Sequence, residues 1–304
     1  MAEAPRALVV GEALVDLTRR GDEPEVARPG GSPLNIAVGL ARLDVTAVLA
    51  AQVGEDDLGE LLRDHVDDSD VDLRNLPPHR ETTATALARL DDQGRATYEF
   101  DIRWDPSELP TVEGQDLLHV GSIGATLAPG ADRVLALART AADAGLAVSL
   151  DPNVRLPITP DVDDVRRRVD LLLATATICK LSDEDVADLG ETPDSFAERA
   201  LAEDTRLALL VVTFGGDGAL LVSREGRVRV DVPPIELADT IGAGDSFMAA
   251  MLAGILHRGW QTRRTFTADE LRTLGELAVS AAAITCSRHG ADPPRGAELP
   301  GLRP

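Results

Sequence analysis

The most constraining feature of the sequence is a series of short segments, apolar at almost every position, separated by stretches with helical periodicity. The segments at 7–10, 146–150 and 207–213 lack the alternation of polar and apolar residues expected of a strand with one face in water. Continuous apolar runs are typical of strands that are buried on both faces of a parallel sheet. The helical stretches between them supply the crossovers that parallel strands require. The sequence therefore predicts an α/β fold with a mainly parallel sheet.

Composition excludes several classes of protein. The chain has 304 residues, of which 44% are hydrophobic, so it can bury a large core. We find no run of about 18 apolar residues, the length that would span a membrane. The formal charge of −22 argues against nucleic acid or an anionic membrane as a partner. The polar N-terminus leads straight into a strand, which indicates no secretory signal and a cytoplasmic protein.

A glycine-rich segment at 238–247 precedes an apolar helical run at 248–256. Gly242 and Gly244 let the backbone approach a ligand, and a helix N-terminus offers free amides and a partial positive charge, which suit a phosphate. Asp245 has two interpretations. It is either a base that accepts a proton from an attacking hydroxyl or simply an acidic residue in a first helical turn.

A second glycine pair, Gly30-Gly31, opens another predicted helix through Ser32-Pro33. Asn35, in its first turn, either binds a hydroxyl or stabilises the turn. Asp16 follows the first strand. Because ligands of open α/β sheets lie beyond the carboxyl ends of strands, Asp16 could hydrogen-bond a polyol. Alternatively, it caps a turn.

Further candidates follow later strands. Asn153 and Arg155 come directly after the run at 146–150, in a position suited to binding. Lys180 is the only lysine in the chain, either for a special role or by chance. The acidic cluster at 182–185 either holds Mg²⁺ through water or complements a helix dipole. A glycine-rich turn at 214–218, where backbone can approach a nucleotide, ends the most hydrophobic strand.

Two alternating segments, 82–90 and 95–103, read as a hairpin with a turn at 91–94. An isolated hairpin is only marginally stable, so we expect it to cover the main domain as a lid or to pair with another subunit. The candidates for covering a substrate are Tyr98, Phe100, Ile102 and Arg103.

Several common motifs are missing. The sequence contains no Gly-x-x-x-x-Gly-Lys-Ser/Thr loop and no Gly-x-Gly-x-x-Gly after the first strand, which argues against a Walker-type site and a dinucleotide dehydrogenase. It also lacks a zinc-binding pattern and a Gly-x-Ser-x-Gly hydrolase elbow. The glycine-rich segment before Asp245 therefore belongs to none of these motif classes.

Together these motifs resemble those of the ribokinase-like sugar kinases, the PfkB carbohydrate kinase family, and within it most closely the bacterial fructokinases. Residues 239–247 look like the family's C-terminal signature, and residues 30–35 are similar to its N-terminal signature. The order of the motifs between them also matches, so the resemblance covers nearly the whole chain.

The resemblance implies a role for each motif. It makes Asp245 the base that deprotonates a sugar hydroxyl, and the amides of Gly242, Ala243 and Gly244 an anion hole for the transferring phosphoryl group. The candidate sugar-binding residues are then Asp16, Gly30, Gly31, Asn35, Arg103, Asn153 and Arg155. The candidate nucleotide-binding residues are Lys180, Thr213, Gly215, Gly216 and Gly218.

The resemblance also implies metal sites. It places Asp239 and Ser287 at a potassium-like cation site. Where many members carry Asn-x-x-Glu near Mg²⁺, this chain has Ser182-Asp183-Glu184-Asp185. We interpret this segment as a variant in which Asp185 contacts Mg²⁺ through water.

The implied fold is a single three-layer α/β/α domain over residues 1–304, with a small β lid from segments at about 12–30 and 82–103. The implied activity is ATP-dependent phosphorylation of a primary hydroxyl of a small sugar, with fructose as the leading case. Alternatives are 2-keto-3-deoxygluconate, ribose or a nucleoside as acceptor, or a non-catalytic sugar or nucleotide sensor. The apolar lid also admits a homodimer.

Overall fold

The computed structural model describes residues 3–21, 24–90 and 96–303. Its strands are β1 (Arg6–Val10), β2 (Leu14–Arg20), β3 (Val26–Gly30), β4 (Thr46–Ala51), β5 (Asp72–Asn75), β6 (Thr85–Leu90), β7 (Ala96–Asp101), β8 (Leu117–Gly121), β9 (Ala147–Asp151), β10 (Ile178–Ser182), β11 (Leu209–Thr213), β12 (Ala219–Ser223) and β13 (Gly226–Val230). Its helices are α1 (Ser32–Arg42), α2 (Asp57–Asp67), α3 (Ser122–Thr126), α4 (Gly130–Asp143), α5 (Val162–Leu173), α6 (Asp183–Asp188), α7 (Pro193–Ala200), α8 (Ala243–His257) and α9 (Ala268–Cys286). Within these ranges, no helix is long and apolar enough to cross a membrane.

The larger sheet has the strand order β13-β12-β11-β10-β9-β8-β1-β4-β5. From β11 to β5 all neighbours are parallel, and β12 and β13 add an antiparallel hairpin at one edge. The predicted α/β fold with a mainly parallel sheet is confirmed.

Helices cover both faces of this sheet. In β1, Ala7 and Val9 belong to a core cluster that includes residues of α1, α8 and α9. Leu8 and Val10 belong to a second cluster with residues of α4, α5 and α7. Because successive side chains of a strand point to opposite faces, a strand covered on both sides is apolar at most positions. This explains the continuous apolar runs.

A second, four-stranded sheet has the order β3-β2-β6-β7. It is built from the two segments predicted to form a lid. Residues 22–23 and 91–95, including the predicted turn at 91–94, lie outside the described residues. On β7, Tyr98 and Phe100 are exposed and their rings stack with centroids 6.1 Å apart.

The order of strands reverses between β1 and β8. After β1 the chain continues to β4 and β5 on one side, whereas β8 to β11 extend to the other side. In open α/β sheets ligands bind beyond the carboxyl ends of strands at such a switch point. The fold therefore places the binding crevice where β1, β8 and β9 end, beside the start of α1.

Candidate active site

Two helices of the crevice, α1 and α8, start directly after a glycine with a left-handed backbone. Gly31 before α1 has φ 101° and Gly242 before α8 has φ 74°, and within the described chain neither helix has a side-chain cap. A Cβ on Gly31 would lie 2.8 Å from the carbonyl oxygen of Glu12, and one on Gly242 would lie 2.6 Å from Cβ of Ala291. Both glycines are thus required by backbone conformation and by close contact. Uncapped first-turn amides are suited to binding an anion.

Asp245, in the first turn of α8, is held by two residues of α1. Ser32 Oγ donates a hydrogen bond to its Oδ1 at 2.6 Å, and Asn35 Nδ2 donates to its Oδ2 at 2.8 Å. Each carboxylate oxygen keeps a further lone pair. The structure thus fixes the orientation of a half-buried carboxylate that can still accept a proton.

Asp16 lies beside this carboxylate, within strand β2. It is paired in register with Arg28 of β3, so the interpretation of Asp16 as a turn cap is wrong. A Cβ on Gly30 would collide with Oδ2 of Asp16, so the glycine makes room for the carboxylate. Although the residue is exposed overall, burial of its carboxyl group and then the negative charge of Asp245 raise the pKa of Asp16. The two acids therefore share one crevice.

Asn35 and Asn153 are both fixed by hydrogen bonds through their side-chain amides. Asn35 is 8% exposed, and its Oδ1 is buried without a partner among the described residues. A buried polar atom of this kind needs a donor, and a substrate hydroxyl would supply one. Asn153, with φ 40°, donates from Nδ2 to Ser122 Oγ at 3.1 Å. It is thereby held at the end of β9.

The two candidate arginines are placed differently. Arg103 follows β7 and is exposed, and Arg155 is also exposed and donates to the carbonyl oxygen of Val154 at 2.9 Å. Within the described chain, no hydrogen bond joins either arginine to Asp16 or Asp245. Their role in sugar binding remains a prediction.

The side chain of Lys180, on β10, reaches the first residues of α8. Its Nζ donates to Asp151 Oδ2 at 2.9 Å, and both side chains are buried. A Cβ on Gly244 would lie 3.1 Å from the same Nζ, so the ammonium touches the predicted anion hole. Burial opposes the charge, but Asp151 raises the pKa of Lys180 above its ordinary value. A charged lysine thus faces the place where an anion is expected.

The turn after β11 holds the other nucleotide candidates. Thr213 is the last residue of β11, which neighbours β10 and so ends at the same edge of the sheet as Lys180. A Cβ on Gly215 or Gly216 would meet no other atom, so this part of the turn is open. A Cβ on Gly218 would collide with the carbonyl oxygen of Val230, which gives this glycine a packing reason.

Asp185, the magnesium candidate, has hydrogen bonds on both carboxylate oxygens. Oδ1 accepts from the Val154 amide at 2.7 Å, and Oδ2 accepts from the Ser182 amide at 2.8 Å and from Ser182 Oγ at 2.7 Å. It forms a capping box with Ser182 at the start of α6. Three donors therefore fix this buried carboxylate, and its contact with Mg²⁺ through water stays a prediction.

Asp239 and Ser287, the candidates for a monovalent cation, are neighbours in space. The Asp239 amide donates to the carbonyl oxygen of Cys286, and Ser287 is the C-cap of α9. Partial burial works in the opposite direction, but hydrogen bonds from the amides of Gly290, Ile241 and Thr240 lower the pKa of Asp239. In the ranges that the structure describes, no group of three His, Cys, Asp or Glu residues forms a metal cluster.

Three residues at the crevice escaped the sequence analysis as candidates. The sequence indicates Ser32 only as part of a helix start, and Asp151 only as one of the polar residues that follow the run at 146–150. Glu12 Oε2 accepts a hydrogen bond from the Gly124 amide at 2.8 Å, and burial raises the pKa of this carboxyl to about 7. A sequence signal for such residues exists, because polar residues that directly follow buried parallel strands lie together at the carboxyl edge of the sheet.

The fold and this site define the ribokinase-like class of α/β sugar kinases. The family model for pfkB family carbohydrate kinases matches residues 4–296, and the chain belongs to this family. A fructokinase from Klebsiella pneumoniae is 33% identical over 90% of this chain and 92% of its own length.

Two solved structures extend the comparison. An uncharacterised sugar kinase from Pyrococcus horikoshii, solved in complex with ATP, has a TM-score of 0.79 and 26% identity over 98% of both chains. A Vibrio cholerae fructokinase with bound fructose, ADP and calcium ion has a TM-score of 0.78 and 25% identity, covering 98% of this chain and 96% of the other. Both likenesses extend over nearly the whole chain.

Proposed function

We propose that this carbohydrate kinase is a single-domain fructokinase that transfers the γ-phosphoryl group of ATP to a primary hydroxyl of fructose, giving fructose 6-phosphate. The observation that carries the reaction is the Asp245 carboxylate, oriented by Ser32 and Asn35 at the uncapped start of α8. The names of the relatives support fructose as the acceptor.

Asp245 is the base of the proposed reaction. The hydroxyl oxygen attacks the γ-phosphorus, the bond from that phosphorus to the bridging oxygen of ADP breaks, and Asp245 accepts the hydroxyl proton. The hydrogen bonds from α1 hold the carboxylate in one orientation before substrate arrives, so little reorganisation is needed during the reaction.

Sugar binding is assigned to the neighbouring polar groups. Asp16 accepts hydrogen bonds from hydroxyls, and Oδ1 of Asn35, which has no partner in the described part of the chain, accepts another. Gly30 and Gly31 leave space for the ring, while Asn153, Arg155 and Arg103 contact the rest of the sugar or close over it. Contacts of this kind contribute to the rate mainly by orienting the reacting hydroxyl.

The start of α8 fits the phosphates of ATP. We assign the amides of Gly242, Ala243 and Gly244 to the transferring phosphoryl group, together with the ammonium of Lys180, which lies 3.1 Å from the position of a Cβ on Gly244. The open glycines of the turn after β11 leave room for the nucleotide. Mg²⁺, when bound, compensates phosphate charge, and Asp185 would hold its water. Asp239 and Ser287 would bind a monovalent cation next to the anion hole.

The four-stranded sheet is proposed as a lid that excludes water from the crevice. Its exposed Tyr98 and Phe100, together with Val26, which is 49% exposed, also offer an apolar surface to a second copy of the chain. Light scattering of the wild-type protein and of a Phe100→Ser variant would test the homodimer, and a monomeric wild type would contradict it.

A coupled ADP-release assay tests the function. We expect fructose to give a larger kcat/KM than ribose, 2-keto-3-deoxygluconate or a nucleoside, each supplied at millimolar concentration. A higher value for another acceptor would reject fructose and retain the kinase. Saturable sugar binding by calorimetry without ADP release would instead indicate a sensor.

A further inference from the structure

A row of buried polar side chains crosses the middle of the main sheet. It consists of His119 on β8, Ser149 and Asp151 on β9, and Lys180 on β10, each at most 5% exposed. By the alternation of side chains along a strand, these residues face α1, α8 and α9, as Leu117, Ala147 and Ile178 do. Placing polar and charged groups in an apolar core costs free energy unless they are paired. We call these four residues the buried polar row.

The row ends at the loop that begins α8. Nζ of Lys180 lies 2.9 Å from Oδ2 of Asp151 and 3.1 Å from the position that a Cβ on Gly244 would occupy. Any larger residue at 244 would therefore press on the ammonium. The absence of a side chain at this position lets the lysine ammonium lie close to the backbone at the start of α8.

Lys180 is the only cation of the row. His119 accompanies it, but burial and then the positive charge of Lys180 lower the pKa of this histidine to about 3, so the ring is neutral. His119 Nδ1 and Ser149 Oγ share a hydrogen bond of 2.8 Å. The remaining charged groups that act on the lysine are the carboxylates of Asp151, Asp185 and Asp245.

Asp151 is poorly explained by stability alone. Its Oδ2 accepts from Lys180, while its Oδ1 is buried without a partner among the described residues. Burial raises the pKa of Asp151 to about 6 against the opposing charge of Lys180, and the nearby carboxylates of Asp185 and Asp245 also raise it. A buried ion pair with an unsatisfied oxygen contributes little net stability, since desolvation offsets the attraction. The placement of the pair therefore points to the loop it touches.

We propose that Asp151 is a positioning residue for phosphoryl transfer, holding Lys180 Nζ against the Gly242–Gly244 loop so that the ammonium faces the transferring phosphoryl group. The proposal rests on the proposed kinase function and adds to it the residue that fixes the lysine. A preorganised cation in a site shielded from water stabilises charge that develops in the transition state. A lysine free to swing away would lose that advantage.

The main test is a double-mutant cycle on the full-length protein with ATP, Mg²⁺ and the best sugar of the acceptor panel. Asp151→Asn keeps an oxygen that can accept from Lys180 and removes the charge, and Lys180→Met removes the ammonium at similar length. We expect Asp151→Asn to lower kcat about 100-fold, the size of effect seen when one charge-stabilising donor is lost. The KM for sugar should change less than about threefold, because the pair is not among the proposed sugar-binding groups.

The double-mutant cycle and the pH profile distinguish a positioning role of Asp151 from a purely structural one. Because Asp151 acts through Lys180, the double variant should be no slower than Lys180→Met alone. Asp151→Asn should also lose kcat at alkaline pH where the wild type does not, because the buried lysine loses the carboxylate that favours its charged form. A structural ion pair predicts a lower melting temperature with unchanged kcat.

Asp170→Asn is the matched control, since Asp170 forms an exposed ion pair with Arg199 at 2.9 Å, and it should retain wild-type kcat. If Asp151→Asn does not fold, the double variant decides, because it leaves no buried charge unpaired. A folded Asp151→Asn or double variant with kcat near wild type would overturn the proposal. It would also be overturned if the kcat of the double variant were reduced by the product of the two single-variant factors. A wild type without sugar phosphorylation would reject the kinase function itself.

Discussion

Asn35 Nδ2 donates a hydrogen bond of 2.8 Å to Asp245 Oδ2, although the two residues are 210 positions apart in the sequence. The contact joins the first turn of α1 to the first turn of α8. It therefore brings both glycine-rich segments of the chain to one carboxylate. Within the described chain, Oδ1 of the same asparagine has no hydrogen-bond partner, so it is available to a substrate hydroxyl.

Replacing the base gives the most direct prediction. Asp245→Asn should lower kcat by at least about 100-fold, because a positioned general base contributes about that much or more. The affinity for ATP should change little, since the amides of the loop remain. Turnover measured by ADP release, with ATP binding measured by calorimetry, checks both expectations.

Asp269→Asn is a suitable control for this variant. Asp269 is also an acid in the first turn of a helix, α9, but it lies away from the crevice. Its loss should leave turnover unchanged. Equal effects of the two substitutions would return Asp245 to the role of an ordinary first-turn acid.

Sugar binding should depend on pH through Asp16. Its pKa is raised, so the carboxylate is protonated at higher pH than an ordinary aspartate. The protonated acid accepts fewer hydrogen bonds from hydroxyls, so the sugar KM should rise as pH falls through this raised pKa. Asp16→Asn should raise the sugar KM about tenfold, as expected for the loss of a hydrogen bond to a charged group, and remove this pH dependence.

Initial rates over a range of pH and sugar concentration test this prediction. The control is Glu99→Gln, which removes an exposed carboxylate from the same small sheet. It should keep the wild-type profile. A sugar KM for Asp16→Asn that still rises in acid would show that another group titrates.

Glu12 should make stability depend on pH. Its pKa is about 7 in the folded protein, against an ordinary value of 4.5. Between these values the folded state binds the proton and the unfolded chain does not, so stability falls as pH rises through this window. The full loss of folding stability, on the order of 3 kcal/mol, is reached above the folded-state pKa of about 7 and vanishes below the ordinary pKa of 4.5.

Glu12→Gln keeps an oxygen for the Gly124 amide and has no charge to bury. Its free energy of unfolding in urea, relative to wild type, should therefore increase from about pH 5 to about pH 8. Glu276→Gln, at an exposed position of α9, should show no such trend. A difference between Glu12→Gln and wild type that is constant with pH would contradict the assignment.

Removing divalent metal should abolish turnover. Excess EDTA should stop ADP release and added Mg²⁺ should restore it, because the phosphates of ATP need charge compensation. Asp185→Asn should raise the Mg²⁺ concentration for half-maximal activity about tenfold, as expected for a residue acting through the metal's water. An unchanged magnesium requirement would leave Asp185 with its capping role alone. Replacing K⁺ by Na⁺ in the same assay tests the site at Asp239 and Ser287.

Much of the fold could be predicted from local patterns. Runs that are apolar at nearly every position identified the strands that carry Val9, Leu150 and Leu210, because burial on both faces favours apolar side chains. The glycines before α1 and α8 were identified because few other residues adopt their backbone conformation. The position of Asp16 was partly missed, since a polar residue near a strand end gives no sign of whether the chain turns or pairs.

The sequence by itself identified most of the residues that could bind an anion, a sugar or a proton, and for most of them the element in which they lie. Only the tertiary structure decided that Ser32 and Asn35 hold Asp245, and that Asp151 holds Lys180 against Gly244. The reason is physical. Periodicity and turn chemistry act over a few residues. These contacts instead join strand ends and helix starts that are far apart in the sequence and meet only when the parallel sheet and its crossover helices assemble.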